Sequence, residues 1–183
     1  PALDYDLLSL DIGSQPDIDS VPGAREYAVP VKPVASLWQR WHALETAVAS
    51  GERVAVVGGG AGSVELVLAM AHRLRGRNVA FDLYCGANVI LQGYNQRARR
   101  AVERALAEHD IDLHCGSRVS GVTASSLQLA NGRTAAFDQL FWCTAAAAAS
   151  WLAASGLATD EHGFLSVRDT LQSLDDDRVF AAG

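Results

Sequence analysis

The clearest pattern in the chain is an apolar run without alternation, Arg53-Val54-Ala55-Val56-Val57, followed at once by Gly58-Gly59-Gly60-Ala61-Gly62. A strand with one wet face alternates apolar and polar residues, whereas a strand covered on both faces, as in a parallel sheet, does not. After the glycines, Val64, Val67, Leu68, Ala71 and Leu74 recur at helical spacing and predict a helix over 63–74, which Gly76 ends. Asn78 through Cys85 reads as a second strand. Strand, tight turn, helix and strand within residues 53–85 make a βαβ unit, whose crossover is right-handed.

The pattern extends to both sides of this unit. Leu37, Trp38, Trp41, Leu44 and Val48 predict an amphipathic helix over 34–50 ended by Gly51, and 95–109 predict another. Residues 111–115 supply a third strand and 139–143 a further buried one, after which 144–149 are small, as a close backbone approach requires. Residues 118–123, 126–130 and 133–137 read as short strands of a meander, with Asn131-Gly132 as a hairpin turn. Residues 5–13 read as a strand running into a glycine turn. Residues 14–33, with Pro16, Pro22, Gly23, Pro30 and Pro33, read as a loop because so many φ-locked positions oppose regular structure. The expected fold is α/β, a Rossmann-like βαβ parallel sheet with a small antiparallel β-meander.

Composition narrows the function. The 15 Lys and Arg are outnumbered by 21 Asp and Glu, a net charge of -6, which argues against nucleic acid and for small-molecule ligands. No window approaches the about 18 apolar residues of a membrane span, and no basic stretch leads an apolar run at the start, so a cytoplasmic setting is expected. Cys85, Cys115 and Cys143 are far apart and fit neither a zinc spacing nor a disulfide framework; they read as free thiols on strands. The histidines fall in no nucleophile-base or metal-ligand spacing, so no catalytic side chain and no metal site is expected.

The glycine turn carries the chemistry. A dinucleotide pyrophosphate binds where backbone N–H groups converge at a helix start and the helix dipole adds partial positive charge. Gly58 permits the tight turn, Gly60 lets the backbone approach the pyrophosphate, and the third fingerprint position brings helix and strand together. Here that third position is Ser63, whose hydroxyl can cap the helix or donate to a phosphate; Gly59, Ala61 and Gly62 complete the turn. The acid that holds the ribose of NAD is expected about 20 residues further on, at the end of the second strand. Tyr84, Cys85 and Gly86 stand there instead, Asp82 lies two residues early, and Arg97, Arg99 and Arg100 are either a solvated helix face or partners for a 2′-phosphate. NAD(H) against NADP(H) therefore stays open. Glu65, just inside the helix, is favoured there by the dipole alone. A glycine turn that binds nothing is the alternative to all of this.

Read together with Tyr5-Asp6-Leu7-Leu8-Ser9-Leu10-Asp11-Ile12-Gly13-Ser14, Phe141-Trp142-Cys143-Thr144-Ala145 and Val179-Phe180-Ala181-Ala182-Gly183, the glycine turn resembles that of two-dinucleotide-binding-domain flavoproteins of the pyridine nucleotide-disulfide oxidoreductase superfamily. The resemblance points to NADH dehydrogenase-like members, including type II NADH dehydrogenases. Ser9 through Ser14, Val31-Lys32-Pro33 and Gly163-Phe164-Leu165 are similar to flavoprotein domains fused to selenide, water dikinase. The resemblance implies FAD in the full-length protein, with Ile12, Gly13, Ser14 and Gly183 in the flavin site. It also places Glu65 at the nicotinamide end and Thr144-Ala145 facing the cofactor, with Ala145 where the family has glycine. Cys85 stands at the ribose position. Residues 1–33 are then a remnant of the FAD domain and a crossing segment, 34–147 the NAD(P)-binding domain, and 148–183 a truncated return into the FAD domain. The implied activity is hydride transfer from NAD(P)H to FAD, absent from this piece alone. A redox-sensing nucleotide-binding module with little turnover is the alternative, and a fused or partner domain and a homodimer are the associations left open.

Overall fold

Strands whose two faces are both apolar need two covering layers, and the computed structural model, which describes residues 3–144 and 146–182, provides them. In chain order the elements are β1 (Leu8–Leu10), β2 (Gln15–Pro16), α1 (Ala24–Tyr27), β3 (Val29–Pro30), α2 (Val34–Ala47), β4 (Arg53–Val57) and α3 (Ala61–Arg73). There follow β5 (Ala80–Tyr84), α4 (Gln96–Glu108), β6 (Ile111–His114), β7 (Val119–Val122), β8 (Ser126–Leu129) and β9 (Thr134–Ala136). The chain closes with β10 (Gln139–Trp142), β11 (Ala146–Ala147), α5 (Ser150–Ala154) and β12 (Val179–Ala181). It divides into two units, Pro16–Ala145 and a smaller one made of Pro1–Gln15 and Ala146–Gly183. Among the described residues no helix is long and apolar enough to cross a membrane.

The larger unit is built on a five-stranded parallel sheet of order β3-β10-β4-β5-β6. In register, Val56 stands beside Leu83 and Phe141, and Val57 beside Tyr84 and Trp142. Side chains alternate across the sheet, so its residues divide into two sets. Val54, Val56, Phe81, Leu83 and Phe141 pack with Leu44 of α2, Val64, Val67 and Met70 of α3, and Leu106 of α4. Ala55, Val57, Tyr84, Leu140 and Trp142 pack with Val119, Val122, Leu127 and Leu129 of the meander and with Ala24 of α1. Burying each such Val, Leu or Phe stabilises the fold by about 1.5–3 kcal/mol relative to leaving it in water. The meander β7-β8-β9 is antiparallel, and its β8–β9 turn places Gly132 at φ 82, with its N–H donating to the Leu129 carbonyl at 2.9 Å.

The stretch read as loop, 14–33, does contribute structure. Val29 and Pro30 pair with Phe141 and Trp142, and the Val31 N–H donates to the Trp142 carbonyl at 3.1 Å. A proline, lacking the N–H of the ladder, is confined to sheet edges, and β3 is an edge strand. The third helix begins at Ala61, two residues before its apolar periodicity, because that first turn is made of Ala61 and Gly62. The second ends at Ala47, short of Gly51, where Val48 leaves the helical conformation at ψ 125.

Polar residues on the meander face are tied together. Asp82, 1% exposed, accepts a hydrogen bond from the Arg53 guanidinium and lies 2.7 Å from His114 Nε2. His114 in turn stacks on Tyr84, ring centroids 4.5 Å apart. A buried carboxylate is tolerable only when paired and hydrogen-bonded, and Asp82 meets both conditions. In the smaller unit β1 and β12 pair in parallel, with Ser9 beside Phe180, and the Arg178 guanidinium lies over the Tyr5 ring.

Burial, reinforced by the Asp82 carboxylate, pushes the Tyr84 phenol up to about 12. An unfolded tyrosine ionises near pH ~10, so above that the unfolded chain gives up a proton the folded one keeps, and stability falls as pH rises toward about 12. Urea denaturation across this window is expected to show a loss on the order of 1–2 kcal/mol in the wild type that Tyr84→Phe lacks. Parallel curves for the two proteins would refute the assignment.

Candidate functional site

The parallel strands β10, β4 and β5 end side by side at Trp142, Val57 and Tyr84, and the chain leaves β4 through the glycine turn into α3. Ligands of open α/β sheets sit beyond the carboxyl ends of the strands. A cleft of about 290 Å³ lies there, lined by Val57, Gly58, Gly59, Tyr84, Trp142 and Thr144, with Gly86, Ala87, Ser117 and Arg118 on its far side.

Each glycine has its own reason. A Cβ on Gly58, at φ 154, would overlap the carbonyl oxygen of Cys143, and one on Gly59 would overlap the Cys85 sulfur. Both are therefore demanded by the protein itself. At Gly60 a Cβ would meet nothing within 4 Å. Its backbone, φ -90 and ψ 178, is open to any residue, so neither packing nor conformation within the chain requires glycine there. Gly60 is also the N-cap of α3 and no side chain caps the helix there. The first-turn N–H groups, which have no partner inside a helix, face the turn with the positive end of the dipole behind them. Ala61 is half-buried and Gly62 exposed, and a Cβ on Gly62 would touch the Cys143 sulfur at 3.5 Å.

The remaining sequence-selected residues fall in different places. Ser63 is fully buried and its hydroxyl donates to the Gly60 carbonyl at 2.7 Å, so it braces the turn from beneath and presents no hydroxyl to a phosphate. Cys85 is buried beneath Gly59, with its thiol donating to the Val89 carbonyl at 3.6 Å, and it offers nothing to a ribose. Asp82, tied to Arg53 and His114, offers nothing either. Glu65 is exposed on α3 and near Cys143: burial, and then this carboxylate, push the Cys143 thiol above its ordinary range. Thr144 lines the cleft, and its hydroxyl donates to the Asp17 carbonyl at 3.2 Å, beside the Trp142 indole N–H at 2.9 Å on the same oxygen. In the smaller unit Ile12 and Gly13 line a groove of about 250 Å³ with Leu152, Phe164, Leu165 and Ala182. Ser14 lies half-buried next to them in sequence. Ala145 and Gly183 lie outside the described residues.

Sequence reasoning missed Arg118. Its place in the cleft comes from the turn between β6 and β7, which no local pattern connects to the glycines. Arg97, Arg99 and Arg100, on α4, are not among the residues lining it. A larger groove of about 460 Å³ between α2 and α3 is mostly apolar, and its Glu45 and Arg73 pair with each other, so it lacks the donors of an anion site.

Sheet order, glycine turn and cleft define a Rossmann-type unit of the FAD/NAD(P)-binding class. The chain belongs to the pyridine nucleotide-disulphide oxidoreductase family, which it matches over residues 2–183. It is 31% identical over 187 residues to the NADH oxidase of Lactococcus lactis subsp. cremoris (strain MG1363), covering 98% of this chain and 40% of that protein. It is 23% identical to demethylphylloquinone reductase NdbB of Synechocystis, over 100% of this chain and 46% of the relative. The chain thus spans less than half the length of these curated relatives. Among solved structures, NDH2 from Plasmodium falciparum in complex with NADH superposes with a TM-score of 0.80 at 18% identity, covering 99% of this chain and 44% of that one. The water-forming NADH oxidase from Lactobacillus brevis bound to NADH superposes with a TM-score of 0.80 at 20% identity, covering 99% and 39%. At these identities the structural likeness is one of fold.

The two kinds of glycine separate by mutation. Gly58→Ala is expected to destabilise the fold by about 2 kcal/mol or more, through the collision with the Cys143 carbonyl. Gly60→Ala is expected to leave stability within about 0.5 kcal/mol while weakening dinucleotide binding by about tenfold or more. Thermal unfolding and nucleotide titration check both; unchanged binding in Gly60→Ala would remove the pyrophosphate from this turn.

Proposed function

We propose that this chain is the NAD(P)H-binding portion of an FAD-dependent oxidoreductase, and that it positions NAD(P)H for hydride transfer to the flavin. One observation carries the reading: an uncapped helix N-terminus meets a glycine whose missing Cβ leaves open space, at the carboxyl ends of three adjacent parallel strands. The family and the NADH oxidase relative support a nicotinamide cofactor and a flavin.

The residues present fit a dinucleotide. The N–H groups of Ala61 and Gly62 would hold the pyrophosphate, with Ser63 fixing the turn through Gly60. Glu65, exposed on the first turns of α3, would accept a hydrogen bond from a nicotinamide amide. Trp142 and Thr144 hold the strand β10 side of the cleft through Asp17. The groove at Ile12 and Gly13, where Gly13 has φ 64 and a Cβ would meet nothing within 4 Å, gives a flavin nucleotide room to approach backbone in the smaller unit. The cofactors supply the redox chemistry, NAD(P)H as hydride donor and FAD as acceptor, and the protein binds and orients. A cytoplasmic setting and association through a fused domain or a second copy complete the reading.

Anaerobic stopped-flow absorbance of the full-length flavoprotein tests it. Saturable bleaching of the flavin by NADH or NADPH is the expected result. Flavin that stays oxidised in the presence of both would overturn the assignment.

A further inference from the structure

We propose that the cleft is built for a dinucleotide carrying a 2′-phosphate, and that Arg118 selects it. This rests on the dinucleotide reading above and adds which of the two nicotinamide cofactors the site takes.

An NAD site holds the adenosine ribose hydroxyls with a carboxylate at the tip of the second strand, and that same carboxylate repels a 2′-phosphate. Here the tip of β5 carries Cys85, 1% exposed and turned under Gly59, followed by Gly86 and Ala87. The nearest acid on the strand, Asp82, is buried and already bound by Arg53 and His114. The tip therefore presents no negative charge to the cleft.

It presents a positive one instead. A Cβ built on Gly86 lies 3.7 Å from both Cα and Cβ of Arg118, so Arg118 occupies the tip from the neighbouring turn. Its backbone is fixed there: the Ser117 N–H donates to the Cys85 carbonyl at 2.9 Å, and the Ala130 N–H donates to the Arg118 carbonyl at 2.8 Å. Arg118 is exposed, is the one cation among the described residues lining the cleft, and forms no ion pair among the described residues. The acid in the lining, Asp17, has its backbone carbonyl on Trp142 and Thr144, and its carboxylate accepts from the Ser20 N–H at 3.3 Å. A guanidinium offers a planar fork of donors that matches phosphate oxygens, whereas it gains little from a ribose hydroxyl. Absent acid and present arginine thus act in the same direction.

Equilibrium titration of the full-length flavoprotein with NADP⁺ and with NAD⁺ tests the proposal. The wild type is expected to bind NADP⁺ about tenfold or more tightly, and Arg118→Ala to erase that preference by weakening NADP⁺ while leaving NAD⁺ within about twofold. Arg118→Lys, which keeps the charge and loses the fork, is expected to fall between them. Preference for NAD⁺ in the wild type, or equal weakening of both ligands in Arg118→Ala, would overturn the role given to Arg118 and leave the dinucleotide site standing. Binding of neither ligand by the wild type would overturn the site itself.

Discussion

The backbone of Gly58 lies against the carbonyl of Cys143 so closely that no Cβ fits between them, and the cleft depends on that approach. It brings β4 and β10 to the same height and turns the chain out of the sheet within a few residues. The helix that follows is held down by the buried Ser63 hydroxyl on the Gly60 carbonyl and by the Leu91 N–H on the Gly59 carbonyl at 2.8 Å. With the turn pinned from below and behind, its upper surface is left as bare backbone and unpaired N–H groups. That surface is what an anion requires, and the protein supplies it with no charged side chain at the turn itself.

The two-sided sheet makes such a turn affordable. Because helices cover one face and the meander covers the other, the strand ends have little freedom to shift, and the polar cluster of Arg53, Asp82, His114 and Tyr84 further ties β4, β5 and β6 together. The meander does more than cover the sheet, since the turn leading into it delivers Arg118 to the tip of β5.

Much of this was legible in the sequence, for reasons that differ by element. The non-alternating run at 53–57 announced a strand buried on both sides, 78–85 and 139–143 read as further strands, and Asn131-Gly132 announced its hairpin. The edge strand at Val29–Pro30 was hidden because its proline argues against a strand anywhere except at an edge, and an edge is a tertiary fact. At the glycine turn, the conformational demand on Gly58 was legible from its spacing, and its φ is 154. The roles of Ser63 and Cys85 were not, because whether a small polar side chain faces the ligand or the core depends on burial, and both face the core. Arg118 left no signal at all, since its neighbour in space, Gly86, is far from it along the chain.

The central claim is that a dinucleotide lies across the carboxyl ends of β10, β4 and β5 with its pyrophosphate on the glycine turn. Hydrogen–deuterium exchange of the full-length protein with and without NADP⁺ tests it most directly. The account predicts slowed exchange in the segments 57–66, 84–87 and 117–119, with the groove-lining segment 34–45 unchanged. Protection confined to 34–45, with the glycine turn exchanging as before, would contradict it.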